Sequence, residues 1–328
     1  PRGVASYMDT LGAHAFGNFR ELLEAVSRHP MMGIYLSHLR NQKEDPSRGR
    51  LPDENYAREV MQLFTIGLYQ LNTDGTTKTA NGKPIETYTN DDISGLAKVF
   101  TGFSWAGPDT TDARFQGRAN ARDPNRDTLP MQGYPQHHST SEKRFLGVTV
   151  PSQGTPSPDT SLRIALDTLV AHPNVGPFIG RQLIQRLVKS NPSPAYVGRV
   201  AAAFANNGRG VRGDMKAVIR AVLLDAEARD ASASSEPLGG RLREPVVRLA
   251  NWMRAFNARS ASGRFLMDNT ENPANRLAQQ PMRAPSVFNF YRPGYVPPGT
   301  QTAAAGVVAP EFQITTETSV AGYLNYLQ

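Results

Sequence analysis

The sequence predicts a mainly α fold: an irregular multi-helix bundle with one small β-hairpin excursion and one long ordered loop. Three observations carry this expectation. Apolar residues recur at helical spacing over several stretches of the chain. Asx-Gly turn signals between short β-prone runs fall in residues 68–88. Residues 102–158 are rich in Gly, Pro, Asp, Asn and Ser and have no sustained period. With 328 residues, the chain is read as one mainly helical domain over 1–328, with 68–88 as a hairpin insertion and 102–158 as the loop.

In chain order, Phe19, Leu22, Leu23 and Val26 form the first apolar stripe, and Met31, Ile34 and Tyr35 start a shorter one after Pro30. Asp53 caps a stronger helix in which Tyr56, Val60, Leu63 and Phe64 share a face, and Gly67 ends it. Within 68–88 the turn signals are Asp74-Gly75 and Asn81-Gly82. Thr89 with Asp92 three positions on is a capping-box pattern that opens a helix over 91–100. After Pro158 four helices follow, over 159–170, 175–190, 194–206 and 214–228. In the second, Phe178, Ile179, Leu183, Ile184, Leu187 and Val188 form an apolar face, and Arg181, Gln182, Gln185 and Lys189 a polar one. Another amphipathic helix covers 244–258, with Pro245 in its first turn. The aromatic, Pro-rich run beyond it reads as a covering loop anchored by Phe288, Phe290 and Tyr291.

Composition narrows the function classes. No apolar run approaches the ~18 residues that span a bilayer, so no transmembrane segment is expected. The chain has no cysteine, which excludes disulfides, thiolate zinc sites and cysteine nucleophiles. Any metal would be held by His, Asp, Glu, Asn or carbonyl oxygen. There is no Walker loop and no G-x-S-x-G, and the G-x-G-x-x-G string at Gly208, Gly210 and Gly213 lies between two expected helices with no strand before it, so no nucleotide or flavin signature is read and the cofactor stays unknown. The formal charge of +7 is uneven, because residues 176–260 hold 14 Lys or Arg against 6 Asp or Glu. That excess suits an anionic surface or polymer, nucleic acid included, or a solvated helical surface.

Several segments, in order, carry a family resemblance: PDENYAREVMQLFTIG, YTNDDISGLAKVFTGF, the pair HH followed by EKRFLG, AHPNVGPFIGRQLIQRLVKSNPSPAYVGRVAAAF, and REPVVRLANWMRAF. Together they span nearly the whole chain and resemble the bacterial "domain of unknown function 1800" family. The resemblance implies an exported, periplasmic or extracellular, mostly helical protein, of which this chain would be the C-terminal two-thirds or so. It also implies a neighbouring exported partner related to sulfatases and alkaline phosphatases. It supplies no activity. Members often carry Trp where this chain has Phe103, with Trp105 two positions on.

The candidate site residues cluster on the helix after Asp53. Asn55, Arg58, Glu59 and Gln62 fall at i, i+3, i+4 and i+7 and make one polar stripe. Glu59 is the candidate base or metal ligand and Arg58 the candidate anion clamp; a solvent face with Glu54–Arg58 and Asn55–Glu59 pairs is the plainer alternative. His138 is the candidate partner base in the long loop, since adjacent histidines point apart and His137 would then face elsewhere. Asn55, Glu54, Arg181, Phe103 and Trp105 complete the candidate binding set. Asn72 and Asp74 before Gly75 resemble the start of a calcium loop, although a third acid and a closing Glu are lacking and a plain β-turn explains them. Three functions remain open. They are a binding or scaffolding protein working with another exported or cell-surface protein, an extracytoplasmic hydrolase using Glu59, Arg58 and His138, and binding of nucleic acid or an anionic polymer through the basic helices.

Overall fold

A computed structural model describes residues 2–119, 121, 123, 125–231, 238–265, 267 and 269–328. Among them are fourteen α-helices and three two-stranded antiparallel sheets, so the fold is mainly α with small hairpins. No helix among the described residues is long and apolar enough to cross a membrane. Contacts divide the chain into two compact units, one of Pro1–Arg181 with Pro194–Asp225 and one of Gln182–Ser193 with Ala226–Gln328.

The first unit begins with α1 (Arg2–His14), α2 (Phe19–Arg28) and α3 (Pro30–Tyr35). Asn18 caps α2 by accepting from Arg20 N at 2.9 Å, and His29 caps α3 by accepting from Met31 N at 3.2 Å. Next come α4 (Asn55–Gln62), the hairpin β1 (Thr79–Ala80) and β2 (Lys83–Pro84), and α5 (Asn90–Ala97). Asn81 and Gly82 both take positive φ (51° and 75°), as a tight two-residue hairpin turn requires, and the register is Thr79↔Pro84 and Ala80↔Lys83. The capping box at Thr89 and Asp92 is present and opens α5.

Residues 102–158 are more regular than their composition predicts. They contain β3 (Phe103–Ser104), α6 (Asp112–Phe115), β4 (Gln132–Gly133), β5 (Lys143–Phe145) and β6 (Val148–Val150). β3 pairs with β4 across almost thirty intervening residues, and β5 pairs with β6 through a tight turn at Leu146 and Gly147. β5 lies so close to α5 that a Cβ on Gly95 would sit 1.7 Å from the Arg144 carbonyl oxygen, so only glycine fits there. The unit closes with α7 (Pro158–Ala171), the first part of α8 (Val175–Leu187), α9 (Pro194–Ala205) and α10 (Met215–Leu224). The expected helix over 214–228 breaks at Asp225, whose ψ of 145° is extended; α10 ends before it and α11 (Ala226–Arg229) starts after it.

The core of this unit centres on α4 and α5. Tyr56, Ala57, Val60 and Met61 are fully buried, beside Ile93, Leu96 and Phe100. The Tyr56 ring stacks on His38 at 3.8 Å and meets Phe100 edge-on at 4.7 Å. Each large apolar side chain buried here contributes about 1.5–3 kcal/mol. The remaining faces of α4 therefore carry any chemistry.

The second unit holds the end of α8, α11, α12 (Pro245–Ala255), α13 (Gln301–Ala304) and α14 (Glu317–Leu327). Its interior mixes apolar side chains, Ile184, Leu249 and Leu277 among them, with buried polar ones. Glu311 is buried and paired with Arg241 at 2.8 Å, and Glu244 accepts from Gln279 with Arg186 and Arg241 each at 4.0 Å. The polar face expected of α8 is partly turned inward: Gln185 is buried and donates to the carbonyls of Ser190 and Pro293, while Leu187 is exposed. Of the three expected loop anchors, Tyr291 is buried beneath the Arg186 guanidinium, 4.3 Å from its ring centre. Phe288 is exposed and carries Arg292 on its face.

Candidate functional site

The polar stripe of α4 forms because α4 buries Tyr56, Ala57 and Val60 against the core. That turns Arg58 and Gln62 toward solvent. Asp53 supports the helix start by accepting from Asn55 N at 2.8 Å. α4 itself ends at Gln62, a turn earlier than expected, and Gly67 closes the following turn at φ 72° with its N–H on the Met61 carbonyl.

Arg58 and Gln62 line an open cleft of ≈ 400 Å³ together with Leu68, Tyr69, Glu86, Tyr88, Thr89, Asn90 and Ile93. The opposite wall is built by the excursion 68–88. Tyr69 pairs with Glu86 in an antiparallel bridge, so their side chains share a face, and Tyr88 lies two residues on, on that same face. The Tyr88 hydroxyl donates to Gln62 Oε1 at 3.2 Å, which ties the two walls together.

One residue holds that wall in place, and sequence reasoning passed over it. Asn174 is buried and donates through Nδ2 to the carbonyls of Ile66 (2.9 Å) and Tyr69 (2.8 Å), while its Oδ1 accepts from Leu71 N at 2.9 Å. Both amide donors and one of the two acceptor sites of the oxygen are thus spent on the backbone leading into the cleft. The signal was faint, an Asn after His-Pro between two helices.

Glu59 is not among the residues that line the cleft. It is 8% exposed, and its buried Oε2 has no hydrogen-bond partner. Burial raises its pKa against the opposing pull of Arg58. Its charge also acts on Tyr35 and Tyr88, whose own pKa values are raised first by burial. Arg58 faces Glu54 at 3.7 Å, which realises one expected helix pair. Glu54 also accepts from Ser94 Oγ. The other expected pair is absent, because Asn55 turns its amide to Ser37 Oγ at 3.3 Å.

His138 is held elsewhere. It is fully buried, with Nδ1 on the Thr101 carbonyl at 2.8 Å and Nε2 on Ser161 Oγ at 3.0 Å. Burial is the main cause that lowers its pKa to about 4, and Lys143 adds to it. The groups around His138 (Thr101, Ser161, Lys143, Glu44, Asp159) and those around Glu59 (Tyr35, Arg58, Tyr88) share no residue. The two histidines do point apart, as His137 stacks on Phe115 at 3.8 Å and meets Asp112 at 2.9 Å.

The remaining candidates scatter. Phe103 is buried beneath Arg28, and Trp105 is buried between Arg40 (5.3 Å) and Arg126 (4.7 Å). Arg181 is exposed on α8. Asn72 and Asp74 close a local turn, Asn72 donating to Thr76 Oγ1 and Asp74 accepting from both Thr76 N and Oγ1. Among the described residues no three His, Asp or Glu side chains gather as a metal site.

Fold and cleft together define a mainly helical protein with a polar, tyrosine-walled cleft on α4. The chain belongs to the family described as "Protein of unknown function (DUF1800)", whose sequence profile matches residues 2–327. No curated protein and no solved structure matches it.

Proposed function

We propose that this chain is a binding protein whose ligand seat is the α4 cleft, and that it works outside the cytoplasm beside another exported or cell-surface protein. One observation carries the binding reading. Arg58 and Gln62 of the α4 stripe open onto a solvent-accessible cleft, whereas His138 is closed off by Thr101 and Ser161. A cleft furnished with donors, acceptors and aromatic faces but lacking an acid–imidazole pair is suited to recognition rather than acid–base turnover. Export and a sulfatase-like neighbour rest on the family resemblance alone.

The hydrolase alternative retains one supporting observation, the Glu59 carboxyl whose buried Oε2 has no hydrogen-bond partner and whose pKa is raised by burial, as a proton donor has. The anionic-polymer reading loses part of its support, since five of the 14 cations in 176–260, Arg186, Lys189, Arg199, Arg212 and Arg241, are already engaged by carboxylates or backbone carbonyls.

The test is a thermal-shift screen of polar small molecules and saccharides against the wild type and an Arg58→Ala, Gln62→Ala double variant. A ligand that raises Tm in the wild type and not in the double variant is the expected result. Stabilisation that persists in the double variant, or no stabilising compound at all, overturns the cleft as a ligand seat.

A further inference from the structure

We propose that the ligand of this cleft is a neutral oligosaccharide, an inference that rests on the binding reading above. The first argument is the composition of the walls. Tyr69 and Tyr88 supply two aromatic faces from paired segments, and Arg58, Gln62, Glu86 and Asn90 surround them with forked donors and acceptors. A sugar ring presents a C–H face that packs on an aromatic ring and a rim of adjacent hydroxyls that both donate and accept. Guanidinium, carboxamide and carboxylate groups each bridge two such hydroxyls.

The second argument is charge. The lining holds one cation, Arg58, and one anion, Glu86. Arg58 already faces Glu54, and Tyr88 lies in the fields of Glu59 and Glu86 as well as that of Arg58. A phosphate or uronate entering here would meet the Glu86 carboxylate and a guanidinium already shared with Glu54, so an anionic ligand is disfavoured. A polyhydroxylated neutral ligand encounters no such opposition. The third argument is form. The cleft volume of ≈ 400 Å³ falls within the range of small-molecule sites, about 300–1,000 Å³. Because the cleft is open, the two ends of a chain can leave it.

The experiment follows the tyrosine ring resonances by NMR while titrating cellohexaose, maltohexaose and N-acetylchitohexaose as neutral probes, hexagalacturonate as an anionic one and spermidine as a cationic one. At least one neutral hexasaccharide is expected to shift the Tyr69 and Tyr88 resonances. Tyr88→Ala then weakens binding at least about tenfold, equal to ~1.4 kcal/mol, while Tyr88→Phe, which keeps the stacking face, retains most of it. Tyr69→Ala, at a half-exposed position, repeats the test without reaching the core. If hexagalacturonate or spermidine shifts these rings and no neutral sugar does, the carbohydrate inference is overturned while the cleft reading stands. A neutral sugar whose affinity is unchanged in both alanine variants binds elsewhere, which also overturns it. If none of the five probes shifts the rings, the inference fails, and the cleft itself is then judged by the Arg58→Ala, Gln62→Ala double variant.

Discussion

Two buried, uncharged histidines should make the first unit sensitive to mild acid, and the size of the effect follows from their surroundings. His38 is fully buried, stacked on Tyr56, with Nε2 on the Ser27 carbonyl at 2.9 Å and Nδ1 without a partner. Burial lowers its pKa from 6.5 to about 4, and His138 is lowered to about 4 in the same way. A histidine whose folded pKa lies below its unfolded value stabilises the fold fully above the unfolded value. That contribution is lost as pH falls from the unfolded value to the folded one. From about pH 7 to about pH 5 each histidine therefore withdraws roughly 2 kcal/mol, or roughly 4 kcal/mol together. That is a large part of a usual total of about 5–15 kcal/mol. His29 and His172, also lowered by burial, act in the same direction. Glu24, Glu44 and Asp109 have depressed pKa values, so their stabilisation persists down to the unfolded carboxylate range near about pH 4 and leaves this window clear.

Urea unfolding at the two pH values measures the effect. For a slope of about 2 kcal/mol per molar, the midpoint should fall by roughly 2 M between them. His138→Gln and His38→Gln should each remove about half of that pH dependence, whatever they do to stability at neutral pH. A His138→Gln protein that keeps the full wild-type dependence would show that His138 is not held neutral. It would reopen its candidacy as a titrating base.

Two further expectations concern the cleft. Glu59 has a raised folded pKa, so its protonated form is favoured in the fold and its contribution is lost as pH rises through that value. Glu59→Gln should accordingly raise Tm near about pH 7 and have little effect near about pH 4; a lower Tm at neutral pH would mean that the carboxylate is paired in solution. Asn174→Ala removes three hydrogen bonds to the 66–71 backbone and should cost about 2–4 kcal/mol. It should also speed amide exchange at Leu71, while unchanged exchange there would show that the clip does not hold the cleft wall.

Much of the fold was legible because local physics governs it. The capping box at Thr89 and Asp92, the Asn81-Gly82 turn and the helices α4, α5, α7 and α9 depend on contacts within a few residues. The polar stripe on α4 was legible for the same reason, since its spacing alone puts Arg58 and Gln62 on one side. Pairings over longer distances left no local trace. β3 and β4 are two-residue strands paired far apart in sequence, and the helices α1 and α14 were not among the elements expected from the sequence.

By itself, then, the sequence determined the helical class, the position of the hairpin excursion and the polar face of α4, because periodicity and capping are properties of neighbouring residues. Tertiary structure alone decided that Tyr69, Glu86 and Tyr88 fold over that face to make a cleft. It also decided that Asn174 clips the wall and that His138 is sealed between Thr101 and Ser161. Whether a polar side chain becomes part of an open site or of a closed network depends on which segments pack over it, and that is settled only by burial across the whole unit.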